Sequence, residues 1–145
     1  MASTHSVQRI SPARLVAVAV SAVFIVVGVA GFVPGLTTDL DSMTFAGHES
    51  MALLLGVFHV SVLHNAVHLL FGVAGLVLAR SAAGATVFLI GGGVIYLLLW
   101  LYGIVIDLNS GANFVPFDSA DNWLHLALGV GMAGIGLALR RTRVA

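Results

Sequence analysis

Two strings of polar residues interrupt otherwise apolar stretches of this sequence. HNAVHLLFGV begins at His64 and DNWLHLALGV begins at Asp121. His68 follows His64 by four residues, and His125 follows Asp121 by four residues. Because residues four apart lie on the same face of a helix, each string predicts two side chains that can bind one ion or ligand together.

The two strings resemble copies of one pattern. Asp121 lies 57 residues after His64, and the same shift aligns further polar residues and their candidate helix caps. The other matched pairs are Asn65 with Asn122, His68 with His125, and Ser61 with Asp118. Ser and Asp are favoured N-cap residues, so each string is predicted to open a helix. The pattern predicts a tandem repeat of two helical hairpins, whose polar helix starts face each other.

A transition-metal site is the first interpretation of these residues. If the two polar faces meet, three imidazoles and a carboxylate converge near one end of the bundle. Imidazole and carboxylate ligands suit Zn²⁺, Cu²⁺ or Fe²⁺. The predicted ligands are His64, His68, Asp121 and His125, with Asn65 and Asn122 hydrogen-bonded around them and His59 and Glu49 as extra ligands from the preceding segment.

Two other interpretations stay open at this stage. His68 and His125 could be the axial ligands of a haem b held within the bundle, which would indicate an electron-transfer protein. Alternatively, the histidines only hydrogen-bond across helices and clamp a structural or assembly subunit. The sequence contains no pattern that combines a nucleophile, a base and an orienting group, so we predict no enzymatic activity.

The composition indicates a membrane protein. Of 145 residues, 59% are hydrophobic and 8% are charged, against about 25% charged residues in soluble domains. Lipid is therefore expected around most of the surface. The absence of cysteine excludes disulfides, iron–sulfur clusters and thiolate zinc sites. Nucleic-acid binding is not expected, because basic residues cluster only at the chain ends and in one short loop.

Four segments are long and apolar enough to cross a bilayer. The predicted spans are residues 14–33, 61–79, 86–106 and 119–139. Glu49–Phe58 is expected to form a short interfacial helix in the first outer loop. The predicted fold is an all-α four-helix transmembrane bundle, one integral membrane domain over residues 1–145. The Gly91-Gly92-Gly93 triple in the third span predicts a kink or a close helix crossing.

The charges predict the orientation of the spans. All six basic residues fall on one side of the predicted membrane and all six acidic residues on the other. The basic residues are Arg9, Arg14, Arg80, Arg140, Arg141 and Arg143, and the acidic ones are Asp39, Asp41, Glu49, Asp107, Asp118 and Asp121. The positive-inside rule then places both termini in the cytoplasm.

Three strings carry a resemblance to a known family. GVAGFVPG at the end of the first span, GVFHVSVLHNAVHLLFGVAGL and DNWLHLALG resemble small actinobacterial membrane proteins classed as a domain of unknown function. The resemblance covers residues 15–139 and implies a four-span protein of the bacterial inner membrane, without implying an activity. The residues of this sequence that match the motifs of the family are His64, Asn65, His68, Asp121, Asn122 and His125. His59 departs from the family pattern, which weakens its case as a ligand.

We therefore expect a small integral membrane protein with a His/Asn/Asp cluster at its outer face. It would act as an accessory or sensory component with a transition-metal site. Because so little of the chain lies outside the bilayer, it is expected to work as a homo-oligomer or within a larger membrane complex.

Overall fold

The structure is a computed structural model that describes residues 10–141, and the described residues form four α-helices. They are α1 (Pro12–Ala30), α2 (Val62–Leu78), α3 (Ala82–Val105) and α4 (Ser119–Arg141). Among the described residues, α1, α3 and α4 are long and apolar enough to cross a membrane, and α2 is a shorter apolar helix of 17 residues. The prediction of an all-α four-helix membrane bundle is confirmed.

Side-chain caps fix where the helices begin. The hydroxyls of Ser11, Ser61 and Ser81 each accept a hydrogen bond from the backbone N–H three residues further on. Asp118 does the same for α4, because its Oδ1 accepts from the Asp121 N–H at 2.8 Å. These bonds satisfy amide groups that the first turn of a helix leaves free. The caps predicted at Ser61 and Asp118 are confirmed.

The first loop, residues 31–61, contains strands where a short interfacial helix was expected. Its three-stranded antiparallel sheet has the order β1 (Thr37–Thr38), β2 (Leu53–Leu54) and β3 (Phe58–His59). The helix in this loop is a single 3-10 turn at Leu40–Ser42, and Glu49–Phe58 contributes β2 and the start of β3. Leu55 and Gly56 have φ of 54° and 70°, and this left-handed turn folds β3 back on β2 rather than continuing as a helix.

Each helix packs mainly against its hairpin partner, α1 with α2 and α3 with α4. Glycine permits the close approach in both hairpins. A Cβ added at Gly72 would lie 3.0 Å from the Ile25 nitrogen, and one added at Gly129 would lie 2.9 Å from the Leu97 nitrogen. The hairpins join through a core between α1 and α3, in which the Phe24 and Tyr96 rings stack at 5.4 Å.

The up-and-down order of the helices separates the charges. Arg14, Arg80 and Arg140 lie at one end of the bundle, which we call the arginine end, while the acidic residues lie at the other, the acidic end. Arg14 Nε donates to the carbonyl of Ala79 at 2.9 Å, so it caps the end of α2. Arg9 and Arg143, which the charge pattern also used, lie outside the described residues.

Candidate functional site

The six motif residues lie in the first two turns of α2 and α4, at the acidic end of the bundle. Five of them are buried: His64, Asn65, Asp121, Asn122 and His125 are each no more than 9% exposed. His68 is half-buried as a residue, but its Nδ1 atom is fully buried. Burial of so many polar groups is costly unless each finds a partner, so their hydrogen bonds decide what the cluster can do.

Each of the six residues has one buried polar atom without a hydrogen-bond partner among the described residues. These atoms are Nδ1 of His64, His68 and His125, Oδ2 of Asp121, and Oδ1 of Asn65 and Asn122. An unsatisfied buried group costs about 1–3 kcal/mol. Folded proteins pair most of their buried polar atoms. These six atoms are therefore the groups of the cluster that are free to pair with a ligand.

The two asparagines have a structural role as well. Asn122 Nδ2 donates to the Gly103 carbonyl at 3.1 Å, across the α3–α4 hairpin. A side chain at Gly103 would overlap Asn122, and a side chain at Gly31 would overlap Asn65 in the same way. Asn122 thus binds backbone rather than an imidazole, which differs from the role around a metal that the sequence suggested for it.

A series of ring contacts connects the two histidine-bearing helices. The His64 and His68 ring centroids are 4.6 Å apart, and His68 lies 5.7 Å from Phe24. Phe24 stacks on Tyr96 at 5.4 Å, and Tyr96 lies 5.2 Å from His125. A haem ligated by both His68 and His125 would have to displace the Phe24 and Tyr96 rings from the core.

The polar starts of α2 and α4 lie at the same end of the bundle, and the ring contacts that link His68 to His125 run through Phe24 and Tyr96. Within residues 10–141, however, no group of three His, Asp or Glu side chains is placed to hold a metal ion. His64 and His68 are in ring contact, whereas His125 contacts the rings of Tyr96 and Phe117.

The two additional residues proposed from the sequence differ in their surroundings. His59 Nδ1 donates to the Ser50 carbonyl at 3.0 Å, which holds the ring within the first loop. Glu49 is exposed and is not part of the buried cluster. The His59 backbone N–H donates to Asp118 Oδ2 at 3.1 Å, so β3 is joined to the start of α4.

Asp118 is a residue whose full role the sequence did not reveal. One carboxylate oxygen caps α4 and the other accepts from His59. We expect Asp118→Ala to lower the free energy of unfolding by about 2–4 kcal/mol, since a lost cap and a lost charged hydrogen bond each cost about 1–2 kcal/mol. Ser61→Ala removes only the equivalent cap of α2 and should cost about 1 kcal/mol. Denaturant unfolding in detergent tests this, and equal losses in both variants would show that the bond to His59 contributes nothing.

Comparison with known proteins gives one match. The family model described as Domain of unknown function (DUF4383) matches residues 14–138, from the first turn of α1 to the last turn of α4. No curated protein and no solved structure matches the chain significantly.

Proposed function

The chain belongs to the DUF4383 family, which is described as a domain of unknown function. We propose that its buried polar cluster binds a transition-metal ion and that the protein is an accessory or sensory membrane protein. The six buried polar atoms that lack partners carry this proposal. Imidazole nitrogens and a carboxylate oxygen are donors that Zn²⁺, Cu²⁺ and Fe²⁺ accept. His64 and His68 supply the first two ligands, because their rings already touch. His125 and Asp121 complete the shell when they rotate toward them.

We further infer that the two hairpins are a tandem repeat. The shift of 57 residues relates α2 to α4, and a shift of 72 residues relates α1 to α3. Tyr96 lies 72 residues after Phe24, and Leu97 lies 72 residues after Ile25. The contact of Phe24 with His68 matches that of Tyr96 with His125. Because the hairpins pack in the same register, each contributes one pair of side chains four residues apart to the ion.

A helix clamp is the second candidate, and the bond from Asn122 to the Gly103 carbonyl supports it. That bond ties α4 to α3 at the level of the cluster. The Nδ1 atoms of the three histidines have no partner across the helices, which argues against a clamp through these atoms. The asparagines therefore serve the packing in this proposal and the histidines serve the ligand.

The charges support a location in the bacterial inner membrane, with both termini in the cytoplasm. The arginine end would face the cytoplasm under the positive-inside rule, and the cluster would lie near the outer surface. An actinobacterial origin belongs to the same proposal. Because the loops offer little surface outside the bilayer, the protein would signal through a second copy or another membrane protein.

Metal content tests the proposed site. We expect the wild-type protein, incubated with Zn²⁺ or Cu²⁺ and desalted, to retain about one ion per chain by elemental analysis. The His68→Ala/His125→Ala variant should retain none, because two of the four ligands are gone. His48→Ala is the matched control, since His48 lies in the first loop beside His59 and Asp118 and is not one of the four proposed ligands. Equal metal in the wild type and the double variant would refute the site.

A further inference from the structure

A groove between α3 and α4 opens at the arginine end of the bundle, far from the polar cluster. Its volume is about 520 Å³, and its walls are almost entirely apolar. The lining residues are Ala83, Thr86, Val87, Ile90, Gly91 and Arg140. We propose that this groove binds one anionic phospholipid, with the headgroup phosphate on Arg140 and an acyl chain along α3.

The apolar part of the groove suits an acyl chain. From Ala83 to Gly91 the groove follows α3 for about 12 Å, at 1.5 Å per residue. A side chain added at Gly91 would meet nothing within 4 Å, and Val87 is 63% exposed. The one polar lining group besides Arg140 is the Thr86 hydroxyl, which already donates to the Ala82 carbonyl. The floor therefore offers dispersion contacts rather than hydrogen bonds.

The charge at the mouth of the groove selects the headgroup. Arg140 is exposed, and no carboxylate of the described residues pairs with it, because the acidic residues lie at the other end of the bundle. Arg14 differs, since it donates to the Ala79 carbonyl. A guanidinium binds phosphate oxygens in a bidentate way, and anionic lipids attract arginines that lie close to the membrane surface.

The test uses the full-length protein in detergent, titrated with phosphatidylglycerol or phosphatidylcholine and read by native mass spectrometry. The wild type should bind one phosphatidylglycerol in preference to phosphatidylcholine. Arg140→Gln should weaken phosphatidylglycerol binding about fivefold, the loss expected for one arginine at an anionic surface, and weaken phosphatidylcholine binding less, because the choline ammonium offsets the phosphate charge. Gly91→Leu should block the bound phosphatidylglycerol, because the new side chain fills the groove.

Gly134→Leu is the matched control. Gly134 also has open space around it but does not line the groove, so this variant should bind lipid like the wild type. Thermal unfolding confirms that all three variants fold. Equal binding of both lipids by the wild type, or full phosphatidylglycerol binding by Gly91→Leu, would overturn the proposal. So would a wild-type dimer that Gly91→Leu converts to monomer while lipid titration has no effect, because the groove would then hold a second copy of the chain.

Discussion

Replacing Gly93 by alanine is expected to lower the free energy of unfolding by about 3 kcal/mol, the upper part of the range for an overpacked core. A Cβ at this position would lie 2.8 Å from the Gly129 carbonyl oxygen and 2.8 Å from the Ala133 Cβ. The carbonyl belongs to the backbone of α4, so no side-chain rotation relieves the contact. The two helices must therefore move apart at this contact, which weakens their packing.

Gly91→Ala provides the control on the same helix. An added Cβ at Gly91 meets nothing within 4 Å, and alanine favours helix over glycine by up to about 1 kcal/mol. Stability should therefore be unchanged or slightly higher. Unfolding of both variants in mixed micelles, followed by circular dichroism, gives the comparison. Similar stability of the two variants would show that α3 and α4 do not approach as closely as the structure has them.

The glycine triple illustrates what the sequence can and cannot predict. Its position within an apolar span predicted a kink or a close crossing, and the structure shows the crossing at Gly93. The pattern alone could not tell Gly93 from Gly91, because that distinction depends on which face of α3 meets α4. Faces are set by tertiary packing, and the low polarity of α3 leaves almost no amphipathic signal to indicate them.

The helices themselves were predictable because lipid demands long apolar segments and because cap residues mark their starts. The first loop was not, since its sheet has strands of two residues that give no periodic pattern. The turn at Leu55 and Gly56 can be recognised only from its backbone angles, which the sequence does not show. Asp118 was predictable as a cap, but its bond to His59 joins residues 59 positions apart and leaves no local trace.

The helix positions of the motif residues could be predicted, whereas Glu49 and His59 lie outside the buried cluster. The spacing of four residues identified His64 with His68 and Asp121 with His125, and all four lie at the acidic end of the bundle. The stacked Phe24 and Tyr96 rings were not anticipated. They are separated from the motifs in sequence, and each was indistinguishable from an ordinary core aromatic residue.

The metal-free protein should become more stable when the cluster loses its imidazoles. We expect His68→Leu/His125→Leu to raise the free energy of unfolding by about 1–2 kcal/mol in the presence of a chelator. The physical reason is that each buried Nδ1 has no partner, and a buried polar atom without one costs about 1–3 kcal/mol that an apolar side chain of similar size avoids. Stability lost to function is common at binding sites.

Asn122→Leu should change stability in the opposite direction, and the contrast separates a ligand site from a clamp. Asn122 donates to the Gly103 carbonyl, so its removal leaves that carbonyl unpaired in the α3–α4 contact. This cost of about 1–3 kcal/mol is only partly offset by the loss of the unpaired Asn122 Oδ1. If the histidines were clamps, their leucine variants would lose stability as Asn122→Leu does, with or without the chelator. If they are ligands, added metal should stabilise the wild type and Asn122→Leu, which keeps all four ligands, by about 2.7 kcal/mol at a hundredfold excess over the dissociation constant, and should not stabilise the double leucine variant. The direction of the stability change in metal-free protein thus decides whether these imidazoles hold the helices together or bind an ion between them.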